Sequence, residues 1–329
     1  MYYIEGRETN PHHNLALEQF VFEKPGEGND CFMLWQNSNS IIIGRHQNTL
    51  EEIDSDFVKE NNITVARRLS GGGAVYHDMG NLNFTFITAA DKQKGLDFSA
   101  FCEPIRKALC SFGVPVELSG RNDMTVEGKK FSGNAQYIKD GKVMHHGTIL
   151  YDSDLQVLSR ALKPGSDKIE SRGIKSVKSR VTNIRPYMKT DMPVADFWAA
   201  LKNYFFEAFD MRDFTLTPEH IAEVEKLREG IYSQWSWNYG NSPPYSVHKT
   251  RRIEGCGKIE ILLDVEKEGI IRNAAFYGDF FGNRELSELV KALTGLHFEY
   301  NEIKTSLDRL DISEYIYNLK ANDFLDLLF

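Results

Sequence analysis

Residues 67–86 read RRLSGGGAVYHDMGNLNFTF, and the parsing of this stretch decides the fold class. Three consecutive glycines, Gly71, Gly72 and Gly73, let the backbone reach positive φ and let another group approach with no Cβ in the way. Arg67, Arg68 and Ser70 stand just before them. After the glycines, Ala74, Val75 and Tyr76 are strand-like, residues 78–81 form a turn, and Leu82, Phe84 and Phe86 alternate as one apolar face. The order is loop, strand, tight turn, strand, which predicts a β-rich domain. Two readings of the glycines stay open on pattern alone. They make either a hairpin corner with two solvated arginines or a place where guanidinium groups, a hydroxyl and backbone N–H groups meet an anion.

Outward from this stretch, residues 2–4 predict a first strand, and Asn10-Pro11 predicts a capped helix start with Leu15, Ala16, Gln19, Phe20 and Phe22 on its apolar side. Residues 31–35 and 40–43 are two β-rich runs separated by the polar residues 36–39, a hairpin signal. Residues 54–60 predict a short helix, and residues 64–66 a strand that delivers the glycine loop. Phe101, Ile105, Ala108, Leu109 and Phe112 follow a helical spacing, whereas residues 114–150 are β-rich, with turns at Gly128 and Asp140-Gly141. Residues 192–209 and 218–230 predict two more helices. WSWNYGNSPPY at residues 235–245 predicts a loop or linker, which sets expected domains at 1–244 and 245–329; the second contains three strand-like runs and helices.

A chain of 329 residues with 41% hydrophobic content buries a core without staples and divides more naturally into two domains than one. Its four cysteines, Cys31, Cys102, Cys110 and Cys256, include no CxxC pair. They predict neither a disulfide framework nor a zinc knuckle, and suit thiols of a reducing cytoplasm. The first residues lack a basic stretch followed by an apolar run, and no 18 apolar residues occur in succession, so export and membrane spanning are not expected. A net charge of −8 argues against general affinity for nucleic acid or an anionic membrane and leaves room for a local basic pocket.

The chain has no GxxxxGK[ST], no GxGxxG between strand and helix, and no GxSxG, so P-loop, Rossmann and nucleophile-elbow chemistries are not indicated. His12-His13 and His145-His146 are adjacent pairs; on a strand such neighbours point to opposite faces and do not readily chelate one metal. Two polar stretches remain besides the glycine loop, Arg121-Asn122-Asp123 and Lys129-Lys130-Phe131-Ser132-Gly133. An acid and a lysine on neighbouring strands suit Mg²⁺ and phosphate binding, and an exposed GKK turn is the alternative.

The segments LWQNSNSIIIGRHQN, RRLSGGGAVYHDMGNLNFTF, RNDMTVEGKKFSGNAQ, HHGTIL and GIKSVKSRVTNI, in that order, resemble the signature segments of the lipoate-protein ligases. The resemblance covers about residues 1–185 strongly and extends more loosely through the end of the chain. It implies an α+β fold like that of class II synthetases and biotin ligases, with a mixed, mainly antiparallel sheet and flanking helices, plus a small α+β C-terminal accessory domain. It implies Mg·ATP and lipoate as ligands, formation of lipoyl-AMP, and transfer to a lysine of lipoyl-carrier domains such as E2 subunits or H protein. By motif, Lys130 takes the place of the catalytic lysine. Arg68, Ser70, Gly71, Gly72, Gly73 and Ala74 belong to the acyl-adenylate loop. Trp35 and His146 border the lipoyl chain, with Val75 and His77 nearby. Asn122 and Asp123 lie on the nucleotide side, Asp123 as a Mg²⁺ ligand, and Lys175, Val177, Ser179 and Arg180 lie in the adenylate-binding loop.

Three other activities fit the same residues less well. Cysteine-relay acyl transfer is disfavoured because no cysteine lies in the glycine-loop or Lys130 motifs, although Cys31 stands close before Trp35. The glycine-loop sequence is not that of biotin ligases. A non-catalytic cofactor sensor is expected to lack Lys130 or Asp123, and both are present.

Overall fold

The computed structural model describes residues 1–24, 30–90, 96–119, 122–162, 180–240, 246–266 and 269–329. The chain groups into two compact units. One comprises Met1–Ile43, Thr49–Arg68 and Ala74–Asn238; the other comprises Gly44–Asn48, Leu69–Gly73 and Tyr239–Phe329.

The first unit is built on strands β1 (Tyr2–Gly6), β2 (Cys31–Trp35), β3 (Ser40–Ile43), β4 (Thr64–Arg67), β5 (Val75–His77), β6 (Asn81–Ala89), β7 (Glu117–Ser119), β8 (Asp123–Val126), β9 (Lys129–Lys139), β10 (Lys142–Leu150) and β11 (Arg212–Asp213). Eight of them form one sheet in the order β11-β1-β2-β6-β10-β9-β8-β7. The β11–β1 and β1–β2 pairs are parallel and the rest antiparallel. A second sheet, β4-β3-β5, has one parallel and one antiparallel pair. The mixed, mainly antiparallel sheet with flanking helices is the fold class that the family resemblance implies.

Residues 36–39 are not a hairpin turn, because β2 and β3 lie in different sheets. The physical reason is burial. Gln36 and Asn37 are 7% and 0% exposed, and their side chains bond inside the protein. Trp235–Asn238, expected as loop, is a short helix whose Asn238 carboxamide receives the Arg67 N–H at 2.9 Å.

Helix α1 (Pro11–Glu23) begins at Asn10, whose side chain accepts from the His12 and His13 N–H groups, with Pro11 in the first turn. Its middle is buried throughout, Glu18 included. Helices α2 (Phe98–Ser111) and α3 (Val194–Ala208) bring Phe98, Phe101 and Phe205 to the sheet face that carries Phe32, Phe84, Phe86 and His145. Alternation along β6 and β10 sends Thr85 and His146, which are register partners, to the opposite face.

In the second unit, β12 (Val247–Ile253), β13 (Gly257–Val265) and β14 (Ile271–Gly278) form an antiparallel sheet. Helices Ser287–Leu293, Tyr300–Leu307 and Ala321–Leu328 share its core through Leu289, Ile303, Leu307 and Phe324.

Candidate active site

Glu18 is the hub of a buried polar cluster in the first unit. It is 2% exposed on α1, and its Oε1 accepts from the Thr85 hydroxyl at 2.6 Å and bonds His146 Nδ1 at 2.8 Å. The Trp35 indole N–H donates to Thr85 Oγ1 at 2.9 Å, so one chain of bonds fixes Trp35, Thr85, Glu18 and His146. Sequence pattern does not reveal Glu18, because it sits within an otherwise apolar helical run. Thr85 was equally hidden as the polar half of an alternating strand. A central strand covered on both faces has no solvent side, so its polar residues must bond something.

Arg68 joins this cluster. It is 6% exposed, its Nη1 donates to Ile42 O at 3.1 Å, and burial pulls its pKa down to about 10, an effect opposed by Glu18. Its neighbour Arg67 is also buried but serves packing. Its guanidinium donates to the Trp237 and Asn238 carbonyls and to the Thr49 hydroxyl at 2.7–3.1 Å. Neither arginine is a solvated loop cation.

His77 completes the group, its ring edge-on to Trp35 with centroids 6.1 Å apart. Burial, then the charge of Arg68, pushes its pKa down to about 3 and keeps the ring neutral. Val75 lies in the same short strand β5, and Ala74 immediately precedes it.

Lys130 stands at a β-bulge. Thr125 pairs with Lys130 and Met124 with Ser132, so Phe131 is the extra residue and the pleat is interrupted beside the lysine. Lys129 is exposed, Phe131 is 0% exposed, and Lys130 is intermediate. The Lys130 ammonium lies 2.7 Å from Asp123 Oδ1. A Cβ built on Gly133, the register partner of Asp123, would meet Lys130 Nζ at 3.0 Å and Cε at 3.1 Å, so this glycine leaves the lysine its path. The Lys130 backbone is pinned by residues 180 and 182. Lys130 N–H donates to Arg180 O at 2.8 Å, and Thr182 N–H donates to Lys130 O at 2.9 Å. Asn122 donates from its carboxamide to Asn134 O at 2.7 Å. Lys175, Val177 and Ser179 lie outside the described residues, as does Arg121.

Ser70, Gly71, Gly72 and Gly73 belong to the second unit. Within that unit Ser70 O accepts from Arg45 N–H, and Gly72, at φ +91°, donates its N–H to Phe280 O at 3.2 Å. A Cβ at Gly71 would fall 2.2 Å from Phe280 O. The close backbone approach that the glycines permit is thus made to polypeptide here.

Among the described residues no group of three His, Cys, Asp or Glu is arranged to hold a metal ion. The paired histidines separate as a strand requires. His145 stacks on Phe101 at 5.0 Å and is held neutral by burial, whereas His146 bonds Glu18. Cys31 and Cys102 are both 3% exposed, and burial pushes their thiols up to about 11 and about 12. Neither is a ready thiolate. Among the described residues no helix is long and apolar enough to cross a membrane.

The sequence matches the family model of the lipoyl protein ligase A/B catalytic domain over residues 10–206, and that of the bacterial lipoate protein ligase C-terminus over residues 242–328. The chain belongs to the lipoate-protein ligase family. It is 40% identical over 333 residues to lipoate-protein ligase LplJ of Bacillus subtilis, covering 100% of both chains. It is 38% identical to lipoate–protein ligase 1 of Staphylococcus aureus, covering 97% of each. Among solved structures, P. falciparum LipL1 in complex with lipoate shares the fold with a TM-score of 0.79 over 99% of this chain and 97% of that one, at 24% identity. The ligase of the bipartite Thermoplasma acidophilum system, studied with its E2 lipoyl domain, is 29% identical, with a TM-score of 0.63 over 75% of this chain and 98% of that one. A lipoate-protein ligase A bound with ATP is 27% identical, with a TM-score of 0.60 over 72% and 96%. As a member of this family the chain is an ATP-dependent ligase that activates lipoate and transfers it to protein.

Proposed function

We propose that the first unit carries out both half-reactions, with Lys130 as the catalytic residue and the Glu18-centred cluster as the acyl pocket. The observation that carries this reading is the Lys130 ammonium on a bulged strand, over Gly133 and 2.7 Å from Asp123, with its backbone pinned by residues 180 and 182.

In the first half-reaction a lipoate carboxylate oxygen attacks the α-phosphorus of ATP, the new P–O bond forms, and pyrophosphate leaves with the electrons of the broken P–O bond. Two anions must meet, so the protein's task is to offset charge as it grows on the α-phosphate. Lys130 supplies a mobile point charge and Arg68 a fixed one. In the second half-reaction the ε-amine of the carrier lysine attacks the acyl carbon, the C–N bond forms, the C–O bond to AMP breaks, and the amine loses a proton. The adenylate is already an activated mixed anhydride, so positioning the amine is the main requirement. No enzyme nucleophile is needed, in keeping with the buried Cys31 and Cys102 thiols.

Trp35, Val75, His77 and His146 border the acyl chain in this reading. Ser70, Gly71 to Gly73 and Ala74 serve the adenylate, together with Asn122, Lys175, Val177, Ser179 and Arg180. A single carboxylate, Asp123, fits a Mg²⁺ that arrives on the triphosphate rather than a resident ion. There it would hold the metal, whose charge neutralises phosphate. Residues 245–329 form the accessory domain. The acceptor is a lysine of a lipoyl-carrier domain, an E2 subunit or H protein, and support comes from the relative studied with its E2 lipoyl domain. Cysteines that form no disulfide among the described residues suit a cytoplasmic setting.

The test is to incubate the protein with lipoate, Mg·ATP and a carrier domain and to weigh the carrier by intact mass. A mass gain of one lipoyl group that requires ATP is expected. Gain without ATP, or acyl mass on the enzyme itself, would mean a transferase.

A further inference from the structure

His77 is held by a relay of carboxamides whose hydrogen-bonding sense can be worked out from one end. Asn14 Nδ2 faces two backbone carbonyls, Glu8 O at 2.8 Å and Gln36 O at 2.7 Å. Carbonyls only accept, so this end of the Asn14 carboxamide is the nitrogen. The same nitrogen faces Asn37 at 2.9 Å, where a second NH₂ would set donor against donor, so the Asn37 atom is its oxygen, sharing one of the two Asn14 hydrogens with a carbonyl. The other end of the Asn37 carboxamide is therefore NH₂, and it meets His77 Nδ1 at 3.0 Å. An NH₂ group donates and does not accept, so Nδ1 must be the unprotonated ring nitrogen. The remaining proton of the neutral ring then sits on Nε2.

Every member of this relay is buried: Asn14 and Asn37 are 0% exposed and His77 is 3% exposed. His77 Nε2 is fully buried and has no hydrogen-bond partner among the described residues. The charged or titratable groups that act on the ring are Arg68 and His146. A buried N–H donor left unmatched by its own protein is costly and points to an acceptor that arrives with a ligand.

We infer that Asn37 is a positioning residue that locks His77 in the Nε2–H tautomer, giving the pocket a neutral, directed donor for an oxygen of the substrate carboxylate. The inference rests on the reading of this cluster as the acyl pocket. A neutral donor has a use that a second cation beside Arg68 lacks. It orients the carboxylate without strengthening the charge pairing that the attacking oxygen must give up, whereas an Nδ1–H tautomer would present a lone pair to an anion and repel it.

The tautomer is read on the full-length protein labelled with ¹⁵N-histidine, by two-bond ¹H–¹⁵N correlation at neutral pH, with His77→Gln assigning the signal. The expected pattern has Nδ1 unprotonated and Nε2 protonated, and the Nε2 resonance shifts when lipoate is added. An Nδ1–H ring, a doubly protonated ring, or a signal unmoved by saturating lipoate would overturn the proposal. Asn37→Asp supplies the second arm. A carboxylate at position 37 can only accept, which draws a proton onto Nδ1. In that variant the Nδ1–H signal should appear and the lipoate KM in pyrophosphate exchange should rise about tenfold, the size of one lost hydrogen bond to a charged group, with the ATP KM within about twofold. A changed tautomer with an unchanged lipoate KM, or a rise in the ATP KM alone, would contradict it. If the wild-type protein shows no lipoate-dependent exchange, the ligase reading fails, while the tautomer and the lipoate-induced shift still decide this proposal.

Discussion

The two faces of the central sheet, seen at neighbouring residues of β6 and β10, follow different rules. On one face Phe84, Phe86 and His145 pack with Phe32, Phe101 and Phe205, and His145 is a neutral ring stacked at 5.0 Å on Phe101. On the other, Thr85 and His146 meet Glu18 and Trp35 in a closed chain of hydrogen bonds. The difference teaches that burial alone does not separate core from site, since both faces are shut off from solvent. What separates them is direction. The rings of the aromatic face are packed by other rings, whereas the polar face keeps an N–H donor, at His77 Nε2, that no described protein atom satisfies.

The comparison breaks most visibly by truncating the aromatic face. Phe32→Ala removes a ring 0% exposed that stacks on Phe205 at 4.3 Å, and should cost roughly 3–5 kcal/mol of stability in denaturant melts. The lipoate KM of the folded protein should stay within about twofold; a large KM change would mean that the faces are not independent. On the polar side, Gly133→Ala places a methyl group 3.0 Å from Lys130 Nζ and 3.1 Å from its Cε. The lysine end is flexible, so the fold should persist while the ammonium moves by a few tenths of an ångström, and single-turnover adenylation should fall by about tenfold, part of the roughly 10²-fold penalty of a misplacement near 1 Å. Normal adenylation in that variant would sever Gly133 from the lysine's placement.

Titration probes both faces together. His77 and His145 have folded pKa values below the ordinary 6.5, His77 at about 3, so the unfolded chain binds more protons between those limits. Their contribution to stability is full above pH 6.5 and is lost as pH falls below it, by about 1.4 kcal/mol per pH unit for each ring. Denaturant melts from pH 7.5 to 5 should show that slope, and His145→Gln should remove one ring's share. A slope unchanged in the variant would show that His145 is not buried neutral. Smaller again, Glu18→Gln keeps the shape but gives one oxygen position to an NH₂ group facing donors. The lipoate KM should rise about tenfold, as for one charge-assisted bond. Restoration of normal KM by a compensating Thr85→Val change would sharpen the assignment of that bond.

Much of this was legible from residues alone. Alternation at Leu82, Phe84 and Phe86 gave the aromatic face, and Asn10-Pro11 gave the start of α1, because period and cap chemistry are local. The parallel pairing of β1 with β2 and the passage of residues 36–39 between sheets were not, since a buried polar crossing has the composition of a solvated turn. Lys130 and His146 are assigned by resemblance to ordered motifs, not by pattern. Glu18, Thr85 and Asn37 escaped because each sits among apolar or turn-like neighbours, and their meaning arises only when strands distant in sequence bring their partners to them. Arg67 and Arg68 show the limit most plainly: adjacent, identical in type and both buried, one is a strut to residues 237–238 and the other bonds the Ile42 carbonyl and feels the charge of Glu18.

On the proposed function, the bulge at Lys130 selects one of two adjacent lysines for chemistry. Lipoate-dependent ATP–pyrophosphate exchange, measured without any carrier on Lys130→Ala, Lys130→Arg and Lys129→Ala with folding checked by melts, tests it most directly. Loss of a charge-stabilising donor should lower exchange by about 10²–10³ in Lys130→Ala. Arginine should not rescue it, because a planar fork does not replace a compact ammonium, and Lys129→Ala should stay within a few-fold. Equal losses at the two lysines, or full exchange in Lys130→Ala, would contradict the account.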